Sequence, residues 1–123
     1  MTNQEIFDDL GQMGTLMLLF IEMAGADGEV TEDEIGTLVD AGSNFTDQDL
    51  VPFIDSALRI RNSIGAKQRV EYLGAGLNLF AEELSANMKK AILIELAKIA
   101  KADGAIHDNE SALFKMAASY LAG

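Results

Sequence analysis

Asp27 and Glu34 are separated by seven positions, and Asp103 and Glu110 repeat that spacing further down the chain. Each pair sits in a matching stretch. The first is Ala26-Asp27-Gly28-Glu29-Val30-Thr31-Glu32-Asp33-Glu34 and the second Ala102-Asp103-Gly104-Ala105-Ile106-His107-Asp108-Asn109-Glu110, at a constant offset of 76. Ala24 and Ala100 extend the match, giving A-x-A-D-G-x-[VI]-x-x-x-E twice. Such self-similarity points to an internal repeat of a helix-corner-helix unit. An aspartate at the end of one helix and a glutamate in the first turn of the next put two carboxylates at one corner. If the copies pack about a pseudo-twofold axis, Asp27, Glu34, Asp103 and Glu110 converge. Four carboxylates form a hard oxygen site suited to Ca²⁺, Mg²⁺ or Mn²⁺, not to a thiophilic metal.

A purely structural role explains the same residues equally well. Thr31-Glu32-Asp33-Glu34 reads as a capping box in which Glu34 reaches back to the cap. Asp27 could bond loop N–H groups, and Gly28 could simply stop the helix. A self-contained EF-hand is excluded. Gly28 and Glu34 match its sixth and twelfth positions, but the first and third ligand positions fall on Met23 and Gly25, and in the second copy on Ile99 and Lys101. Any cation must therefore draw on both corners or on water. His107, the only histidine, reads as a surface corner residue before it reads as a ligand. Lys98 and Lys101 near Asp103, with His107 and Asn109 where the first copy has Thr31 and Asp33, make the second corner less acidic.

Composition narrows the function further. The absence of cysteine removes disulfides, thiolate metal sites and cysteine nucleophiles, and fits a reducing, cytoplasmic setting. With one histidine, no nucleophile elbow and no P-loop, the chain is expected not to be an enzyme and to need no organic cofactor. A net charge of −11 argues against nucleic acid. That charge is unevenly spread. Residues 1–61 carry 13 acidic and 2 basic side chains, whereas residues 62–123 carry 7 of each. The N-terminus lacks a basic region followed by an apolar run, so no signal peptide is expected. The most apolar stretch, Met13 to Ala26, is too short to span a bilayer and carries Glu22, so direct membrane insertion is not expected.

The elements that must hold the corners are helical throughout. A first helix is expected over Asn3 to Ala26, with Ile6, Leu10, Met13, Met17, Phe20 and Ala24 at helical spacing and Gly11 and Gly14 weakening it slightly. A second starts at Thr31, buries Ile35, Leu38 and Val39, and closes at Ala41-Gly42-Ser43. Thr46-Asp47-Gln48-Asp49 opens a third, with Pro52 tolerated early and Leu50, Phe53, Ile54, Ala57 and Leu58 facing inward. A fourth spans Ala66 to Leu84 with a stripe of Val70, Leu73, Leu77, Phe80 and Leu84. Gly74-Ala75-Gly76 within it fails as a nucleotide loop and reads as a close helix-packing point. Ser85 caps a fifth, Ala86 to Lys101, burying Met88, Ile92, Leu96 and Ile99. A sixth runs from near Asp108 to Leu121, with Leu113, Phe114, Ala117 and Leu121 inward. The fold class expected is all-α: a compact bundle of about six helices from two pseudo-symmetric helix-corner-helix halves, in a single domain over residues 1–123.

At Ala24-x-Ala26-Asp27-Gly28-Glu29-Val30-x-x-x-Glu34 and Ala100-x-Ala102-Asp103-Gly104-Ala105-Ile106-x-x-x-Glu110 the chain resembles the tellurite-resistance TerB-like family. The resemblance implies an all-helical fold of two related halves. It also implies a divalent-metal site at the positions of Asp27, Glu34, Asp103 and Glu110. Related domains work in tellurite and chemical-stress systems with calcium-binding partners and a membrane protein, and a similar domain sits on a membrane-anchored co-chaperone. Protein partners, including a membrane-associated complex, are therefore expected. Tellurite chemistry itself has no visible basis, since no thiol is present. Three functions compete: a metal-binding, non-enzymatic stress-response adaptor; a metal-free module whose acidic half docks a basic protein surface; and, well behind, a hydrolase using metal-bound water.

Overall fold

The central element is a helix whose stretch from Leu16 to Ile21 is apolar on every side. In the computed structural model, which describes residues 2–24, 32–102, 115–119 and 121 (side chains at 24, 34, 79, 80 and 100–102 excepted), α1 covers Asn3–Ala24. Leu16, Met17, Leu18, Leu19, Phe20 and Ile21 are all buried, a run with no solvent-facing side. The expected one-sided stripe of Met17 and Phe20 is thus only part of what α1 buries. A helix hydrophobic all round belongs inside a bundle, and the most extensive helix–helix contacts among the described residues all involve α1.

The surrounding helices are α2 (Glu32–Gly42), α3 (Val51–Ser63), α4 (Ala66–Ala81) and α5 (Ala86–Ala102). Residues 115–119 form a sixth helical stretch, from which Ala117 is buried, as is Leu121 beyond it. No strand occurs among the described residues. The all-α bundle of about six helices is therefore observed. The division into two related halves is not established by this arrangement, because both corners lie outside the described residues.

Several boundaries differ from the sequence reading. The N-terminal cap is Thr2, whose hydroxyl accepts from the Glu5 N–H at 3.1 Å and donates to the Glu5 carboxylate at 3.2 Å. Gly11 does more than weaken α1. At φ 66° and ψ −170° it interrupts the helix with a kink, a backbone region open essentially to glycine alone. The third helix begins at Val51, not Thr46. The Thr46 hydroxyl accepts from the Gln48 N–H and the Asp49 carboxylate from the Val51 N–H, so these side chains stabilise local turns in place of helix. On α4, Val70 is 50% exposed, while Tyr72, Leu73 and Leu77 are buried. A Cβ at Gly76 would lie 3.1 Å from Thr15 Cγ2 and 3.7 Å from the Tyr72 ring. This close approach turns the 72–76 edge of α4 toward α1 and Val70 outward. Leu84 lies past the end of α4, half-buried in the turn to α5. The Ser85 cap is present, its hydroxyl accepting from the Met88 N–H at 3.1 Å.

Side-chain contacts fix the helix directions. Along α1, Gln12 meets Glu83, Thr15 meets Tyr72, and Glu22 meets Arg69, so α4 runs antiparallel to α1. The chain then turns at residues 82–85 and α5 sets out from the level of Gln12. Farther along α5, Glu95 accepts from Asn44 at 3.2 Å, and the neighbouring Phe45 packs on Phe20 with ring centroids 6.3 Å apart. Helix α5 therefore advances in the same direction as α1.

Candidate functional site

The two corners follow the C-terminal ends of α1 and α5, at Ala24 and Ala102. Because these helices run in the same direction, both ends finish at one end of the bundle. Asp27, Asp103 and Glu110 lie outside the described residues, as does the side chain of Glu34. The Glu34 backbone belongs to the first turn of α2, next to the exposed Glu32 and Asp33. The sequence places acidic side chains in that turn because they suit the positive end of the helix dipole. Among the described residues no group of three acidic, histidine or cysteine side chains gathers to hold a metal ion. The metal question therefore rests on the corners alone. By donor chemistry, carboxylates of this kind fit a hard divalent cation.

At the same end of α1 the structure shows a charged cluster that the sequence analysis did not single out. Glu22 Oε1 accepts from Arg61 Nε at 3.1 Å. Arg69 Nε lies 2.7 Å from the same oxygen but off its N–H direction, so this contact is an ion pair without a directed hydrogen bond. The side chains of Glu22, Arg61 and Arg69 are 16%, 10% and 16% exposed. Arg69 Nη1 also donates to the carbonyls of Arg61 at 3.2 Å and Ile64 at 2.9 Å, satisfying acceptors where α3 ends. Glu22 is therefore committed to two guanidiniums. The available signal was a single carboxylate inside the most apolar stretch of the chain, which must find a cation elsewhere.

A second polar cluster lies mid-bundle. The buried Thr15 hydroxyl donates to the Gly11 carbonyl at 2.7 Å and contacts the Tyr72 hydroxyl. A threonine has one O–H to give. With that proton directed to Gly11, Tyr72 is the donor in the second bond. Burial pushes the Tyr72 phenol above its ordinary 10.0.

The family model described as "Tellurite resistance protein TerB" matches residues 13–122. No curated protein and no solved structure gives a match. Among the described residues no helix is long and apolar enough to cross a membrane.

Proposed function

The chain belongs to the tellurite resistance TerB family, and from that premise we propose that it is a non-enzymatic, cytoplasmic stress-response adaptor that binds a divalent cation at its acidic end. The supporting observation is the shared direction of α1 and α5, which brings the ends of both corner-bearing helices to one end of the bundle. Asp27, Glu34, Asp103 and Glu110 would hold the cation, with Ca²⁺, Mg²⁺ or Mn²⁺ as the candidates. When bound, the cation would relieve the repulsion among these carboxylates and join two distant parts of the chain. Glu22 would stay outside the ligand set, since Arg61 and Arg69 already neutralise it.

The adaptor role rests on the family and on composition. A chain without cysteine and with a single histidine has few of the groups that nucleophilic or acid–base catalysis uses. Its partners are proteins, including those of a membrane-associated complex. Titration calorimetry with each cation on the wild type and on Glu34→Ala tests the metal reading. Binding by the wild type, weakened about tenfold or more by the substitution, is expected from the loss of one carboxylate ligand. Heat changes indistinguishable from dilution at millimolar metal would leave only the metal-free interaction module.

A further inference from the structure

We infer that residues 2–10 form an arm, hinged at Gly11, that the corresponding arm of a second copy of this chain can replace. Three observations carry this. The hinge is real: Gly11 holds the only positive φ among the described residues, and a Cβ there would meet nothing within 4 Å. The arm is held to the bundle by apolar burial. Ile6 and Leu10 are 0% and 3% exposed and Phe7 is half-buried, whereas Glu5, Asp8 and Asp9 face solvent. Its side-chain hydrogen bonds, Thr2 with Glu5 and Gln4 with Asp8, are internal to the arm. Finally, the arm lies outside the family match, which begins at residue 13.

An eight-residue helix is too short to persist alone in water, so the arm is helical because Ile6 and Leu10 are covered. An identical arm from a second molecule offers the same residues to the same surface. Exchange therefore creates a dimer without requiring any new contact except at the hinge. The Gly11 conformation opposes exchange by folding the arm back onto its own bundle. A net charge of −11 on each copy opposes it too, and salt screens that repulsion.

The substitution Gly11→Ala isolates the hinge. Alanine is strained at φ 66° yet favours a continuous helix, which would project residues 3–10 away from their own bundle. Sedimentation velocity over a dilution series should show the variant dimerising at least about tenfold more tightly than the wild type, which corresponds to about 1.4 kcal/mol. The dimer should strengthen with added salt and disappear in Gly11→Ala/Ile6→Asp. A Gly11→Ala protein that is monomeric at every concentration overturns the inference, as does a dimer that survives Ile6→Asp. Should Gly11→Ala fail to fold, hydrogen exchange on the wild type decides. Residues 3–10 should exchange at least about tenfold faster than residues 16–21, and equal protection of the two segments would rule the arm out.

Discussion

Helix α1 carries two polar clusters about two turns apart, and they solve the same problem differently. Thr15 and Tyr72 are neutral, almost completely buried, and joined in a chain of hydrogen bonds ending on the Gly11 carbonyl. Glu22, Arg61 and Arg69 are ionised and keep between 10% and 16% exposure. Burial of a hydroxyl costs little once its bonds are made, whereas a charge must retain either an opposite charge or some water. The position along α1 matches this requirement. Thr15 lies mid-bundle opposite Gly76, where a missing Cβ leaves room for the threonine methyl. Glu22 lies near the helix end, where the α3–α4 turn brings two arginines within reach.

The contrast is tested most strongly at Glu22. Glu22→Ala would leave two half-buried guanidiniums facing each other without their shared anion, and should destabilise the fold by about 3 kcal/mol in urea denaturation. Replacing all three charges with apolar residues of similar size should cost less than the single change, because no unpaired charge remains. It would not be free, since Arg69 also serves the carbonyls of Arg61 and Ile64. A Glu22→Ala protein as stable as the wild type would mean that solvent, not the pairing, sustains this cluster.

The neutral cluster should respond more weakly and in a different order. Thr15→Val removes the acceptor of the Tyr72 hydroxyl and leaves that buried donor unsatisfied, at an expected cost of about 2 kcal/mol. Tyr72→Phe removes the phenolic group itself while Thr15 keeps its bond to Gly11, so about 1 kcal/mol is expected. If the two substitutions cost the same, the assignment of Tyr72 as donor is wrong.

These clusters also mark where the sequence could be read and where it could not. The buried face of α5, Ile92, Leu96 and Ile99, follows from helical spacing alone, and so does the Ser85 cap. Both signals are local. The pairing of Glu22 with Arg61 is set by tertiary packing across 39 positions, which no periodicity encodes. Val70 fitted the α4 stripe by spacing but is exposed, because the approach of Gly76 to Thr15 decides which edge of α4 faces α1. The Gly11 kink was equally hidden, since a glycine inside a helical pattern reads the same whether it continues the helix or breaks it. Of the candidate metal site, the repeated motif was legible in full. The direction of its supporting helices was not, as it depends on which ends of α4 and α5 meet α1.

The smallest expected effect distinguishes the clusters by proton chemistry. Because burial raises the Tyr72 phenol above 10.0, the unfolded chain ionises at this position first as pH increases. The unfolded state then binds fewer protons than the folded state, so stability falls with rising pH. The hydroxyl's contribution is complete below the ordinary phenol value and is lost as pH climbs toward the higher folded value. Denaturation of wild type and Tyr72→Phe in parallel isolates the contribution of this phenol, since lysines and Tyr120 are common to both. Their stability difference should hold at about 1 kcal/mol up to about pH 10 and shrink above it. A difference that stays flat across that range would show that the folded phenol ionises as readily as the unfolded one, and that the Thr15 site is wetter than its burial indicates.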